Sequence, residues 1–266
     1  MKNETGFHKV KLKRNKSLIK AIRILEVLAD SQDGISLSEI CSRLGMDKAT
    51  ALRFLATLED EKFVHRKEGK YYLGLRLFEL GNKVPVKGNI INRVHPHLKK
   101  LAYEFNETTN LGELYFGSVH YLDKIETPRS LRISTYIGVK LPIHCTALGK
   151  SIAAFLPEDE REILLKDYNF EKMTPNTITD KERFREELEK VRRQGYSVDD
   201  EEFEEGLRCV AVPLFLENLI FYGAISVSAP SQRLTRERIP EIAHRLKEEV
   251  CLIKEECKKT NKGGAL

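Results

Sequence analysis

Apolar residues recur at helical spacing early in the chain, and polar residues between them mark where helices begin and end. In residues 37–44 the apolar positions fall three, one and three residues apart, which predicts a short amphipathic helix. Ser36 precedes this helix as an N-cap, and Glu39 follows three positions later in the pattern of a capping box. Gly45 then stands where the helix is expected to end.

A second helix is predicted to begin after Asp47, a residue that often caps helices. Its apolar stripe, which is expected to be buried, consists of Leu52, Leu55 and Leu58. The side chains on the other side are small, hydroxyl-bearing or basic, which suits a helix that enters the major groove of DNA. The residues expected to face bases there are Lys48, Ala49, Thr50 and Arg53.

Residues 64–73 are predicted to form a hairpin that turns at Glu68-Gly69-Lys70. Three basic side chains crowd its tip and are expected to contact phosphates, namely Arg66, Lys67 and Lys70. Two helices joined by a short turn are common, so the same residues could instead form a packing module whose charges are merely solvated. The basic hairpin and the basic segment upstream favour a winged helix-turn-helix that binds DNA.

The segments that flank this module are predicted to be a basic arm and a linker. Residues 1–16 are polar and rich in lysine, so they are expected to form a flexible arm that lies along DNA or a tail that only aids solubility. A first helix is predicted to begin at Ser17, with an apolar face formed by Leu18, Ile22, Leu25 and Leu28. The short apolar helix at 75–83 would be buried by a second copy of the chain or by its own domain, and Pro85 and Gly88 mark the boundary.

Strands and helices alternate in the remainder of the chain. We therefore expect a DNA-binding domain at 17–74, a linker helix and boundary at 75–88, and a second domain at 89–260. In that domain a long helix contains Pro96, which is expected to kink it or to mark a new start, and residues 258–266 are expected to form a polar tail. The predicted strands are 111–116, 119–126, 131–138, 196–199, 208–215 and 219–228. The pattern predicts an α+β fold in which a central, mostly antiparallel sheet carries helices on its faces.

Charge is distributed unevenly along the chain. The formal net charge is +5, and residues 1–75 contain 15 Lys or Arg and 10 Asp or Glu, so the whole excess lies in the predicted DNA-binding module. The five cysteines are widely spread and include no CxxC pair, which favours reduced thiols in the cytoplasm over a disulfide framework. No apolar run approaches the ~20 residues that a membrane span requires, and the charged N-terminus does not resemble a secretory signal.

One stretch of the second domain suits an anionic ligand. In residues 142–150, Thr146 is expected to cap a helix whose first residues are small. The free backbone N–H groups at such a helix start, together with the helix dipole, favour an anion. Ala147 and Gly149 are expected to leave room for the ligand to approach the backbone. An ordinary capped helix is the alternative.

Two further stretches carry polar groups that could meet the same ligand. Asp199 begins an acidic run directly after a predicted strand, so its carboxylate could point inward while the rest of the run stays solvated. Ser226 and Ser228 lie two positions apart on an otherwise apolar strand, and therefore on one face of it. Their hydroxyls need partners, which either a polar ligand or neighbouring backbone would supply.

Two rival chemistries use residues of the same region. Cys209 could pair with His144 as a nucleophile and its base, although no oxyanion motif accompanies them. His144, Cys145 and Cys209, with Asp199, are also types that bind zinc, but their spacing is not that of a closed structural zinc site. We therefore expect neither an enzyme nor a bound cofactor.

Four segments in order resemble the IclR family of bacterial transcription regulators, over about residues 17–256. Residues 17–66 resemble the winged helix-turn-helix of the family, and IGVKLPIHCTALGKSIAAFLPEDE resembles the entrance to its effector domain. GYSVDDEEFEEGLRCVAVPLF resembles the family signature, and ISVSAP resembles the last core strand.

The resemblance implies a cytoplasmic homo-oligomer, a dimer or a dimer of dimers, that binds a palindromic operator and is switched by a small organic acid. It implies that the protein represses a catabolic operon, and activation is the alternative that the sequence leaves open. The effector contacts that it implies are Ala147, Leu148, Asp199, Cys209, Ser226 and Ser228. An enzyme that uses Cys209 and His144 and carries a DNA-binding module is the alternative.

The chain departs from the family pattern in places. Leu216 stands where the signature usually has Asp or Asn, and Ala229 replaces a common Gly. No glycine occurs between Gly206 and Gly223, so Asn218 is expected to make the turn there, since Asn tolerates positive φ. These departures do not affect the DNA-binding prediction, but they leave the effector open among keto acids, sugar acids and aromatic acids.

Overall fold

The computed structural model describes residues 15–31, 33–83, 90–130, 137–216 and 221–262. The chain divides into two compact units, Met1–Pro85 and Val86–Leu266. Residues 1–14 of the predicted arm, the Pro85 and Gly88 boundary, Asn218 and most of the predicted strand at 131–138 lie outside the described residues. None of the described helices combines the length and the apolar character that crossing a membrane requires.

The N-terminal unit combines helices with a small sheet. Its helices are α1 (Lys16–Ala29), α2 (Leu37–Leu44), α3 (Lys48–Asp60) and α4 (Leu75–Gly81). Its strands are β1 (Ile35–Ser36), β2 (Val64–Lys67) and β3 (Lys70–Leu73), which pair antiparallel in the order β1-β3-β2. Three helices followed by a β-hairpin make up the winged helix-turn-helix that the sequence predicts.

Polar side chains fix the starts of α1 and α2. Helix α1 begins at Lys16, one residue before the predicted start at Ser17. Asn15 caps it, because its side-chain oxygen accepts two backbone N–H groups at 3.0 and 3.2 Å. Ser36 caps α2 by accepting the N–H of Glu39 at 3.3 Å. The Glu39 carboxylate bonds to Arg43 at 2.5 Å instead of returning to Ser36, so only half of the predicted capping box forms.

The buried faces of α1 and α3 differ from the predicted stripes. The core of this unit consists of Ile24, Leu28, Ile35, Ile40, Leu55, Val64 and Tyr71. Leu18 and Ile22 were predicted to be buried but are 60% and 46% exposed, and Leu52 is 44% exposed. In α3 the small Ala51 is fully buried instead. The buried face of this helix therefore cannot be located from its large apolar residues alone.

The C-terminal unit alternates strands and helices. Its helices are α5 (Ile90–Phe105), α6 (Ala147–Phe155), α7 (Glu158–Leu165), α8 (Lys181–Gln194) and α9 (Ile239–Lys262), with a 3₁₀ turn at Arg236–Arg238. Its strands are β4 (Thr108–Tyr115), β5 (Ser118–Ile125), β6 (Lys140–Leu141), β7 (Ser197–Asp200), β8 (Leu207–Leu216) and β9 (Phe221–Pro230).

One six-stranded sheet organises this unit. Its strand order is β6-β5-β4-β9-β8-β7, and each of these neighbouring pairs is antiparallel. One apolar cluster joins the sheet to α5 and α9 and includes Leu98, Val227 and Leu246. A second cluster on α6 and α8 includes Ile152 and Leu188. The predicted α+β fold is confirmed, and the sheet has an apolar core on each face.

Two local predictions for this unit change. Helix α5 continues through Pro96, so the proline does not mark a new helix. Helix α9 extends to Lys262, so residues 258–262 of the predicted polar tail are helical. Cys257 near this end is only 2% exposed, which shows that the helix remains packed on the unit close to its last turn.

Candidate functional site

Helix α3 turns a polar face to solvent, opposite its buried residues Ala51 and Leu55. Asp47 caps the helix by accepting the N–H of Thr50 at 2.8 Å, and this hydrogen bond lowers the pKa of Asp47. The predicted base-facing residues lie on the open side: Lys48, Ala49 and Arg53 are exposed, and Thr50 is half-buried.

Leu52 belongs to the open side of α3 as well. Ala49, three residues before it, and Ala56, four residues after it, are also exposed. Residues at these spacings are neighbours on a helix surface, so the three form a small apolar strip next to Arg53. The predicted stripe placed every leucine of the helix in the core, so the exposure of Leu52 was not expected.

The basic hairpin is braced against the start of β1. Its turn residues, Glu68 and Gly69, have φ values of 53° and 79°, as a tight two-residue turn requires. The Lys70 ammonium and the Tyr72 hydroxyl both donate to the carbonyl of Asp33, at 3.2 and 3.1 Å. Arg66 and Lys67 are exposed near the tip. These two hydrogen bonds hold the hairpin against Asp33. Lys70 therefore belongs to the basic group at the tip and also anchors the hairpin.

Helix α4 has no buried residue although it is strongly apolar. Leu75 is 79% exposed, Phe78 is 69% exposed and Leu80 is 39% exposed. The described residues of the N-terminal unit therefore leave these three side chains largely uncovered, whereas Leu77 of the same helix is half-buried.

A cavity lies on the α6 side of the sheet in the C-terminal unit. It leaves about 20 Å³ for the centres of water-sized molecules and is partly open to solvent. All six predicted effector contacts line it: Ala147, Leu148, Asp199, Cys209, Ser226 and Ser228. The remaining lining residues are Tyr121, Leu141, Thr146, Phe203 and Leu207. Residues from four separate stretches of sequence thus meet at one cavity.

Asp199 is the ionisable carboxyl group of this cavity. It is 1% exposed, and its Oδ1 accepts the backbone N–H groups of Glu202 at 2.8 Å and of Phe203 at 3.3 Å. Burial first, and then the Glu202 carboxylate, raise the pKa of Asp199 to about 7 against the opposing effect of the Lys150 ammonium. Near neutral pH this group is therefore available both as a hydrogen-bond donor and as an acceptor.

Cys209 lies between the other polar groups of the cavity. It pairs with Asp199 across β7 and β8, and with Ser228 across β8 and β9. Burial and the nearby Asp199 raise the pKa of the Cys209 thiol well above its usual value. A thiol with so high a pKa carries little of the thiolate that nucleophilic catalysis needs.

His144 is held by hydrogen bonds on both ring nitrogens. Nδ1 lies 3.0 Å from the Tyr168 hydroxyl, and Nε2 lies 2.9 Å from the Glu171 carbonyl. Burial lowers the pKa of His144 and raises that of the Cys145 thiol to about 12. Across the described ranges no group of three His, Cys, Asp or Glu residues is placed to bind a metal. The alternative zinc set of His144, Cys145 and Cys209 is therefore not assembled.

Asn110 on β4 is the partner that the two serines require. Its Nδ2 donates to the hydroxyl oxygens of Ser226 and Ser228, both at 3.1 Å. Its Oδ1 is buried and accepts no hydrogen bond from the described part of the chain. Sequence analysis missed Asn110 because only the pairing of β4 with β9 brings it opposite Ser226.

The start of α6 is capped as predicted, but its glycine has a different role. The Thr146 hydroxyl accepts the N–H of Gly149 at 3.2 Å. The N–H groups of Ala147 and Leu148 belong to the first turn, which has no partner within the helix, and both residues line the cavity. Gly149 does not leave room for a ligand, because the backbone of Ile143 already fills the space beside it.

Lys150 is a further functional candidate that the sequence pattern does not reveal. It is fully buried, and its ammonium bonds to the carboxylates of Glu202 and Glu187. A lysine after the first turn of a helix usually reaches solvent, so no local pattern indicates this burial.

The comparison with known proteins agrees with this geometry. Residues 83–253 match the family described as bacterial transcriptional regulator IclR C-terminal, and residues 17–68 match the IclR helix-turn-helix domain. The HTH-type transcriptional regulator KdgR of Escherichia coli (strain K12) is 36% identical over 228 residues, which cover 85% of this chain and 86% of that protein.

Two further similarities extend over most of the chain. The transcriptional repressor IclR of the same strain is 32% identical over 229 residues, covering 85% of this chain and 84% of that protein. The crystal structure of Thermotoga maritima IclR has 36% sequence identity and a TM-score of 0.74, and the match covers 90% of this chain and 98% of that one. With its DNA-binding winged helix-turn-helix and its matching C-terminal domain, this chain belongs to the IclR family of bacterial transcriptional regulators.

Proposed function

We propose that this protein is a cytoplasmic repressor that binds a specific operator. The N-terminal residues of a recognition helix read base edges in the major groove, and Lys48, Ala49, Thr50 and Arg53 occupy that part of α3. Arg66, Lys67 and Lys70 would contact phosphates from the braced hairpin. The control of a catabolic operon fits a domain that senses a small metabolite.

The observation that carries the proposal of a small organic acid as effector is the single cavity lined by all six candidate residues. An effector carboxylate would accept the N–H groups of Ala147 and Leu148, where the helix dipole favours negative charge. Its hydroxyl or keto group would meet Asp199, Ser226 and Ser228. Binding of the acid would change the affinity of the protein for its operator, a coupling that is typically worth about 1–3 kcal/mol.

The exposed surface of α4 supports self-association into a dimer or tetramer. A contiguous patch of large apolar side chains on a small domain is typical of an interaction site, and a second copy would bring an identical patch to it. Two copies related by a two-fold axis would in turn match a palindromic operator.

The enzyme alternative, with Cys209 as nucleophile and His144 as base, finds little support in this geometry. The His144 nitrogens are engaged by Tyr168 and Glu171, and the Cys209 thiol has a raised pKa. Consumption of an acid by the wild-type protein, and its loss in Cys209→Ala, would favour this alternative.

The first experiment is a thermal-shift screen with acetate, glycolate, pyruvate, gluconate and benzoate. A ligand that binds only the folded state stabilises it by about 2.7 kcal/mol at a hundredfold excess over Kd. An acid that raises the Tm of the wild type but not of Ser228→Ala would support the cavity as its site.

A second measurement tests the switch. DNA duplexes are selected by the protein from a random-sequence pool, and their affinity is measured by fluorescence anisotropy with and without the stabilising acid. An unchanged affinity at saturating acid would refute the switch, whereas failure to select any DNA sequence would refute the proposed operator binding itself.

A further inference from the structure

We propose that the buried ion pair of Lys150 and Glu202 is a positioning element of the effector pocket, which holds the start of α6 and the loop after β7 at a fixed separation. This inference rests on the proposed function of the cavity. Neither residue lines the cavity itself, so both would act on the effector through the residues that do.

The pair ties together the two sides of the cavity. Lys150 lies three residues after Ala147, on the helix whose first two residues line the cavity. Its ammonium bonds to the Glu202 carboxylate, and it lies 3.3 Å from a carboxylate oxygen of Glu187 on α8. Lys150 is 0% exposed and Glu202 is 7% exposed, so water does not screen this attraction as it would on the surface.

Glu202 is held through its backbone as well as its side chain. Its N–H donates to Asp199 Oδ1 at 2.8 Å, and its carbonyl accepts the hydroxyl groups of Thr177 at 2.6 Å and Thr174 at 3.2 Å. The following residue, Phe203, also donates its N–H to Asp199 and lines the cavity. A movement of Glu202 would therefore move both Asp199 and Phe203, whereas the pair with Lys150 resists that movement.

The same pair sets the electrical environment of Asp199. Glu202 from the loop raises the pKa of Asp199 and Lys150 from α6 lowers it. The other ionisable groups that sense Asp199 are the thiols of Cys145 and Cys209, and Glu187 acts on Lys150 from α8. Removal of one member of the pair should therefore shift the titration of Asp199 in the direction that its charge dictates.

The variants are designed to separate positioning from folding. Removing one member of a buried pair leaves an uncompensated charge and is strongly destabilising, whereas replacing both by uncharged residues of similar volume is often neutral. The double variant Lys150→Met/Glu202→Gln is therefore the main test, and the two single variants are studied where they fold. Lys181→Met and Glu162→Gln repeat the same substitutions in a partly exposed ion pair.

Two readouts need no ligand. In the double variant the amide protons of residues 202 and 203 should exchange with solvent about tenfold faster, because local opening no longer breaks this contact and a hydrogen bond contributes on that scale. In protein with ¹³C-labelled Asp carboxyl groups, the Asp199 midpoint should fall in Glu202→Gln and rise in Lys150→Met. A purely structural role would not shift the two midpoints in opposite directions.

The third readout is the affinity for glycolate and pyruvate, measured by calorimetry. The double variant should bind the acid that binds the wild type about tenfold more weakly, the scale of one lost hydrogen bond, while the two surface controls retain wild-type affinity. If exchange, midpoints and affinity all match the wild type, the positioning role is refuted. If the wild type binds neither acid, the pocket assignment fails for these acids, and the two ligand-free readouts still decide the role of the pair.

Discussion

Gly149 lies so close to Ile143 that a Cβ atom added to the glycine would be 2.4 Å from the Ile143 Cα. Alanine would otherwise favour a helix by about 1 kcal/mol over glycine, but here it would force α6 away from the segment that precedes it. We expect Gly149→Ala to lower the free energy of unfolding by about 1–3 kcal/mol, the usual effect of overpacking, as measured by urea titration.

Gly81 provides the matched control for this substitution. It is the last residue of α4, and a Cβ atom added there would meet nothing within 4 Å. Gly81→Ala should leave stability unchanged or raise it slightly. If Gly149→Ala were as stable as Gly81→Ala, the close packing of α6 on Ile143 would be wrong.

Asp199 should make the stability of the protein depend on pH. Its pKa is about 7 in the folded protein, against an ordinary value of 3.8 for the side chain. The folded state therefore binds more protons than the unfolded state between these two values, and stability from this group falls as pH rises through that window. Asp199→Asn does not titrate, so its stability relative to the wild type should rise from pH 4.5 to pH 8, by roughly 4 kcal/mol at most.

Asp200 supplies a control of opposite sign. The hydrogen bond and charge of Arg208 lower the pKa of Asp200 despite its partial burial, so the stability from this carboxylate is lost as pH falls through its range. Asp200→Asn should therefore lose stability relative to the wild type as pH rises towards 3.8, the ordinary pKa of the side chain, and should change little between pH 4.5 and pH 8. Urea unfolding at several pH values distinguishes the two trends, and equal trends would contradict the raised pKa of Asp199.

Leu52 should read thymine methyl groups through the apolar strip of α3. Contact between an aliphatic side chain and the thymine 5-methyl is a known mode of base recognition. Replacement of a contacted thymine by uracil should weaken wild-type binding about fourfold, since one buried methyl contributes about 0.8 kcal/mol. In Leu52→Ala the same replacement should have no effect, as measured by anisotropy with the selected duplex. Sensitivity to uracil that persists in the variant would exclude Leu52 as the contact.

Lys67 should contribute to affinity without contributing to sequence preference. A lysine that contacts one phosphate weakens binding to all sequences when removed, and the slope of log K against log salt falls by about 1. We expect this for Lys67→Ala in a titration from 50 to 200 mM salt. Lys166→Ala, an exposed lysine of the C-terminal unit, should leave the slope unchanged. A Lys67→Ala slope equal to that of the wild type would show that Lys67 does not contact a phosphate.

Phe78 should be needed for self-association. A charge in the middle of an apolar contact surface carries a large desolvation penalty, so Phe78→Asp should shift the protein towards the monomer in sedimentation velocity. It should also weaken binding to DNA with two half-sites more than binding to one half-site. Tyr103→Asp is the control, because Tyr103 is an aromatic residue of the other unit that is 90% exposed. It should leave the sedimentation profile unchanged. An unaltered sedimentation profile of Phe78→Asp would place the contact between copies elsewhere.

The order of elements and the sheet could be predicted from sequence because they depend on local periodicity and on turn residues. The direction of a helix face was less predictable. In α3 the buried positions are Ala51 and Leu55, and the small size of Ala51 hides it in a pattern dominated by leucines. In α1 the buried Ile24 lies off the predicted stripe, while Leu18 is left in solvent.

The cavity was predictable as a set of residues but not as a network. Asp199, Ser226 and Ser228 stand out because they are polar in apolar surroundings or follow a strand. Asn110 and Lys150 acquire their roles only through pairing with residues 116 and 52 positions away. Such contacts are fixed by the tertiary fold, and no pattern within one stretch of sequence reports them.

The alternation along β9 separates the residues that line the cavity from those that pack in the core. Ser226 and Ser228 face the cavity, whereas Ile225, Val227 and Ala229 belong to the apolar cluster with α5 and α9. Successive residues of a strand face opposite sides, so the cavity-facing positions are free to mutate without disturbing the packing behind them. A gene duplicate of this regulator could thus acquire a new signal molecule through a few substitutions and retain its fold, which makes the scaffold a good starting point for engineered biosensors.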